Sequence, residues 1–242
     1  MTKEKLKHKE VRKMIKRNEF QDMLVEAREY IEKNMENLVI FGVIALIVIV
    51  AIPLYFNHKK SQEVKAEGIL SEANHYINRP VIDDEQAAMY GYFRSKEEKF
   101  DKAVTKYMEV VQGYKGTKSH APAYIGIANA YYNSGKYKEA LEYFNTFIEN
   151  YPKHALAGKA VSGRAYTQYQ LGNYKEALAG WERAASEYRD SVDYYDVMLR
   201  QADCLVKLKQ DDKAKEIYVK IEEDAKDTYW ATAAGKKLKE LK

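Results

Sequence analysis

Five histidines, at 8, 58, 75, 120 and 154, and one cysteine, Cys204, are the side chains best suited to metal ligation, proton transfer or nucleophilic attack. A zinc or catalytic site needs several such groups a helical turn or a short loop apart, and no two of these histidines have that spacing. Nor does the chain carry a phosphate-binding glycine loop, a dinucleotide fingerprint or a local hydrolase or kinase motif. His120 and His154 fall between helical stretches and read as solvated polar residues. Cys204, beside Ala202 and Leu205, reads as a small buried hydrophobe. The expectation is a protein that is not an enzyme, with no catalytic residue, metal, cofactor or small-molecule substrate.

The elements that carry these residues are helical. The 242 residues include only 4 Pro and 12 Gly among many Ala, Leu, Glu and Lys, and 21 Tyr is a marked excess. Strand-rich folds are disfavoured by that usage. A lone cysteine rules out an intramolecular disulfide. Of the net +4, residues 1–17 hold eight basic and two acidic groups, residues 18–37 two basic and six acidic, and the rest is nearly balanced. No basic stripe crosses the folded part, so nucleic acid is not an expected partner.

From Leu38 to Phe56 the chain reads LVIFGVIALIVIVAIPLYF without a charge. At about 1.5 Å per residue such a helix reaches roughly 28 Å, close to the hydrocarbon thickness of a bilayer. The 37 residues ahead of it are too many for a signal peptide, and no small-x-small cleavage site follows. It is expected to remain as a single membrane anchor. Basic residues 3–17 tip the charge count toward a cytoplasmic N-terminus and an exported C-terminal part. Between tail and anchor, Phe20, Met23, Leu24, Ala27, Ile31 and Met35 recur at three- and four-residue steps, as on an amphipathic helix that lies on the membrane surface, docks on a partner or forms a solvated stem.

Beyond the anchor lies a repeat. GKYKEALEYFNTFIENYP at 135–152 and GNYKEALAGWERAASEYR at 172–189 align Tyr137, Ala140, Phe144 and Tyr151 with Tyr174, Ala177, Trp181 and Tyr188, each displaced by 37. The same step reaches Phe100, Ala103, Tyr107 and Tyr114 in one direction and Ala214, Tyr218 and Ile221 in the other. Each unit reads as a helix, a short turn and a second helix. The first helices are expected at 87–96, 124–134, 161–171 and 198–209, with Gly91, Ala128, Ala165 and Ala202 at their closest approach. Residues 61–79 form another striped helix, ended by Asn78, Arg79 and Pro80, and Trp230 to Leu241 a last one that covers the end of the stack.

These residues resemble the tetratricopeptide repeat (TPR) family, and the unit from Ala121 to His154 follows its pattern nearly throughout, in Tyr124, Ile127, Ala128, Tyr131, Gly135, Tyr137, Ala140, Phe144 and Pro152. Elsewhere it departs: Arg94 and Gln168 replace the first-helix Tyr, Asp211 the turn aromatic and Lys209 the turn Gly. The fold implied is all-α: one N-terminal transmembrane helix, then a TPR-like α-solenoid of about four 37-residue helix pairs. The expected division is a basic tail and juxtamembrane helix at 1–37, the membrane helix at 38–56, a linking helix at 57–83 and the repeat domain with its capping helix at 84–242. The longer period and the closing YPKHA are similar to bacterial envelope proteins of this class, above all the ancillary Sec-translocon subunit (YfgM-like) family.

That resemblance implies a concave face lined by the first helices, here Tyr92, Ile125, Asn129, Tyr132, Lys159, Tyr166, Tyr169 and Leu199, with Ala88 and Val206 in the same register. Tyr132, Tyr166 and Tyr169 would make one aromatic patch. The carboxylate clamp of cytosolic relatives is incomplete: only Asn129 and Lys159 stand where it needs them, while Ala88, Tyr92 and Gly163 do not fit. The resemblance therefore implies an anchor in the bacterial inner membrane, an N-terminus in the cytoplasm and a periplasmic repeat domain. There it would bind proteins or unfolded segments, as an accessory of the Sec translocon. The alternative is an assembly or coordination factor of envelope or division machinery that binds a folded partner.

Overall fold

From residue 120 onward, helices and turns alternate in the register of the 37-residue period. The computed structural model describes residues 3–82, 87–189 and 193–241, with backbone alone at 3–15, 18, 87 and 88. The chain divides into two units, 1–60 and 61–242.

In the first unit, α1 (Lys3–Lys33) and α2 (Met35–Asn78) meet at Asn34, whose carbonyl accepts from the Leu38 amide at 2.9 Å. The apolar run lies inside α2, with Pro53 within the helix. Its 18-residue window has a mean hydropathy of 3.0 and none of it is covered by protein. By length and composition this helix can cross a membrane. Phe20, Met23, Leu24, Ile31 and Met35 are all exposed.

The second unit corrects the expectation at its start. No helix runs from 87 to 96. Ala87–Tyr90 is a short 3-10 turn, Gly91 takes φ +73°, and Ile82 donates its amide to the Phe93 carbonyl at 2.9 Å. Ser95 then sits extended and caps the next helix, accepting from the Glu98 amide at 3.0 Å, so α3 (Lys96–Gly113) starts only there. The first-helix role passes to the end of α2. Ala66 and Ala73 are wholly buried in one cluster with Phe100, Ala103 and Tyr107, and Tyr107 donates its hydroxyl to Asn74 at 2.6 Å. The 61–79 segment is thus no separate helix but the last part of α2. Gly91 is a turn residue, not a close-packing one.

Three full pairs follow: α4 (His120–Asn133) with α5 (Tyr137–Asn150), α6 (Ala157–Gln170) with α7 (Tyr174–Glu187), and α8 (Tyr194–Lys207) with α9 (Asp211–Asp224). Ala128, Ala140, Ala165, Ala177, Ala202 and Ala214 are all buried to within 1% at the seams. Larger residues would hold the helices apart. Successive pairs lock the same way: a Cβ on Gly126 would meet the Tyr107 ring at 2.5 Å, and one on Gly163, 37 residues later, the Phe144 ring at 2.4 Å. At the turns Gly135 and Gly172 take φ +78° and +80°, and Lys209 takes φ +59° in their place. A side chain there costs about 1 kcal/mol that glycine avoids. Last, α10 (Tyr229–Glu240) buries Ala234 and lays Trp230, Leu238 and Leu241 on the Tyr218 and Ile221 cluster, closing the apolar end.

His120 is also a correction, for it is buried and not solvated. Its Nδ1 is 2.6 Å from the Tyr151 hydroxyl and its Nε2 is 3.1 Å from the Val111 carbonyl. Both ring nitrogens therefore have a partner: the Val111 carbonyl can only accept, so Nε2 donates to it, and Nδ1 pairs with the Tyr151 hydroxyl.

Candidate protein-binding groove

The inner edges of the α2 end, α4, α6 and α8 enclose two adjoining cavities of about 230 and 310 Å³, which share Ile125 and Asn129. The first is lined by Leu70, Asn74, Ile77 and Leu156, the second by Lys159, Ser162, Tyr166, Asp193 and Asp196. Ile125, Asn129, Lys159 and Tyr166 are therefore brought together as their common inward register requires. One step of 37 carries Asn129 to Tyr166 and Lys159 to Asp196, so the same helical positions line the trough in successive pairs.

The other expected lining residues part company with these. Tyr92 lies in the extended stretch after Gly91, exposed and off any helix. Leu199 is 4% exposed and belongs to the core with Tyr218 and Ile221. The side chain of Ala88 lies outside the described residues. The three tyrosines do not form one patch: among the described residues their rings pair elsewhere. Tyr132 meets Tyr137 edge-on at 5.5 Å, Tyr169 meets Tyr174 at 5.2 Å and Tyr166 meets Trp181 at 4.4 Å. The Tyr132 hydroxyl reaches the next pair, accepting from Gln170 at 3.3 Å. With Val206, Tyr169 lines a separate cavity of about 280 Å³ beside α10.

A charged network on α8 was missed. The Tyr166 hydroxyl donates to Asp196, and Arg200 lies 3.3 Å from both. Arg200 also reaches Asp203 at 3.4 Å, which accepts from Tyr218 at 2.8 Å and pairs with Lys237 at 3.2 Å. Burial first, and the bond to Asp196 second, push the Tyr166 phenol up to about 12. Asp196 and Asp203 stand 37 after Lys159 and Tyr166, so the repeat register contained the signal that marks them. Asp193 and Asp196 line the same cavity as Lys159 and Asn129, which makes this wall unwelcoming to a carboxylate, in line with the incomplete clamp.

Two tetratricopeptide-repeat family models match the chain, over residues 125–192 and 196–228. These segments match the tetratricopeptide repeat in sequence. Solved structures agree on the fold. A tetratricopeptide repeat protein from Parabacteroides merdae superposes with a TM-score of 0.55 at 12% identity, covering 73% of this chain and 59% of that one. The nearly identical TPR-like repeats of a putative kinesin light chain from Podosopora anserina give 0.55 at 14% identity, covering 73% and 84%. No curated protein matches in sequence. Tetratricopeptide arrays are scaffolds for protein–protein interaction, and their motif residues are packing residues that leave the partner open.

Proposed function

We propose that this chain is a membrane-anchored TPR scaffold that holds extended protein segments in the trough between the α2 end and α8. The observation that carries this reading is the pair of cavities joined at Ile125 and Asn129, which draw their lining from four successive helix pairs and hold both apolar and amide side chains. An extended chain needs this mixture: apolar hollows for alternate side chains, and amides that both donate to and accept from its backbone. With Asp193 and Asp196 at one end, neutral or basic segments are favoured over acidic ones. The apolar stretch of α2 anchors the chain in the bacterial inner membrane, with residues 1–37 cytoplasmic and the repeats exported, where they meet emerging envelope proteins beside the secretion channel. The exposed stripe from Phe20 to Met35 favours a second reading, an assembly or division factor with an additional contact near the membrane.

A photo-crosslinking residue at Asn129, in native membranes, tests the reading. Adducts with unfolded exported proteins and translocon subunits are expected, and septal or outer-membrane assembly proteins in their place support the second reading. Adducts no more frequent than from Lys138, exposed on α5, would sink the groove. For topology, Lys153→Cys supplies an exposed thiol, while buried Cys204, whose thiol burial raises to about 11, stays silent. Labelling by an impermeant maleimide only after lysis would overturn the exported orientation.

A further inference from the structure

Arg164 lies about 200° around α6 from Tyr166, on the side turned away from the groove. There a cavity of about 370 Å³ is lined by Arg164, Arg183, Gln168, Asn145, Gly180 and Glu176.

The repeat shows how unusual this spot is. In the preceding pair the positions 37 residues earlier are Ile127 for Arg164, Tyr131 for Gln168, Met108 for Asn145 and Tyr143 for Gly180. Those four fill the space: Ile127 is wholly buried, the Tyr143 ring lies 5.7 Å from that of Tyr131, and its hydroxyl donates to the Met108 sulfur at 3.4 Å. In the following pair Ile217 stands where Gly180 would be. In the α6–α7 pair the side chain at this position is lost altogether, and Ile127, Tyr131 and Met108 give way to Arg164, Gln168 and Asn145, each with an N–H donor.

Arg164 has no hydrogen-bond or ion-pair partner among the described residues, whereas Arg183 pairs with Glu187 at 2.8 Å and reaches the Tyr188 hydroxyl at 3.5 Å. Gln168 accepts from Asn173 at 2.7 Å through its oxygen, which leaves its amide hydrogens to donate. Burial, and then the charge of Arg183, press the Arg164 guanidinium below its ordinary range. The Glu187 bond holds Arg183 above its ordinary range, so the uncompensated charge in this partly desolvated hollow is that of Arg164, which an anion would relieve.

We propose that this cavity binds an oxyanion, a carboxylate or phosphate group, held by Arg164 and Arg183 with the Gln168 amide as a further donor. The planar guanidinium fork suits two parallel bonds to such a group. Glu176 is the one acid lining the hollow and competes with the ligand for Arg164. The site is independent of the groove, since Arg164 and Gln168 lie on the opposite side of α6 from Lys159 and Tyr166.

The test is a thermal-shift and calorimetric titration of the full chain in nonionic detergent. The probes are inorganic phosphate, glutarate and a capped Ala-Glu-Ala peptide, each compared with chloride at matched ionic strength. At least one probe should bind saturably, and Arg164→Gln should weaken it about tenfold or more, the effect of losing a charge-assisted hydrogen bond. Glu176→Gln should tighten it. Phosphate binding without peptide binding assigns a free ion, whereas peptide binding tighter than glutarate assigns an acidic side chain of a protein partner. Arg164→Ile copies the preceding pair, so it should fold, melt higher without ligand and bind none of the probes. No saturable effect from any probe, or binding undiminished in both Arg164 variants, would overturn the site.

Discussion

His120 and Tyr151 meet at 2.6 Å, ring nitrogen to hydroxyl, at the open end of one helix pair, where α4 begins and α5 has just ended. The bond ties the first turn of one helix to the last residue after its partner, so it fixes how the two ends of a repeat close. Tyr151→Phe should leave a buried imidazole nitrogen unpaired and cost about 1–3 kcal/mol, whereas His120→Phe with Tyr151→Phe should cost less than the two single changes combined. Urea unfolding of the four species measures the coupling. Strict additivity would show that the pair contributes nothing as a pair.

Ala140 and Ala177 are wholly buried at the seams between paired helices. Leucine at either should overpack the pair and cost about 1–3 kcal/mol. In a nearly one-dimensional stack the damage also reaches adjoining pairs. Thermal unfolding checks this, and an unchanged midpoint in either variant would place the seam elsewhere.

The three groove-register tyrosines should separate by experiment. Tyr166 is held by Asp196, Arg200 and Trp181, so Tyr166→Phe should lower stability by about 1–2 kcal/mol through the lost bond to Asp196, which keeps only Arg200 as its ion-pair partner. Tyr132 is half-buried, its ring edge-on to Tyr137, and it lines neither groove cavity, so Tyr132→Ser should lower stability by about 1 kcal/mol and leave capture unchanged. Asn129→Ala together with Lys159→Ala, both exposed, should leave stability within about 0.5 kcal/mol of wild type. As groove contacts, that pair should weaken capture of a permanently unfolded reporter by about 2 kcal/mol. Capture unchanged by the pair would remove both residues from the groove.

Alkaline pH should unfold the repeats. Burial pushes the Tyr107 phenol up to about 12, and burial with the Asp196 bond does the same for Tyr166, from an ordinary value of 10.0. Between these values the folded chain holds protons that the unfolded chain has released, so stability is level below about pH 9 and falls as pH rises through 10 toward 12. Urea midpoints across this range, alongside phenolate absorbance, give the measurement. All tyrosines ionising near their ordinary value with helix content intact would contradict it.

The helix pairs from α4 to α9 were legible in the sequence because a 37-residue step repeats small and aromatic residues on one helical face, and a face of that kind has only one way to be buried. Ala140 against Ala177 and Phe144 against Trp181 carry this by type and spacing alone. The apolar run at 38–56 was legible for the same reason, since nineteen uncharged residues need no partner to declare themselves. The identity of the first helix was not. Ala66 and Ala73 could take that place only because Gly91 and Ser95 break the 87–96 stretch and leave Phe100 and Tyr107 uncovered, a competition between distant segments that spacing cannot weigh. Nor does register tell a lining residue from a packed one. Tyr132 and Tyr166 share a helix side, yet only Tyr166 finds an acid and an arginine within reach, and Leu199 is drawn into the core by α9 and α10. The hollow at Gly180 exists for a like reason: the loss of one ring opens a cavity only where three helices of neighbouring repeats come close enough to enclose it, and that closeness is a property of the packed stack.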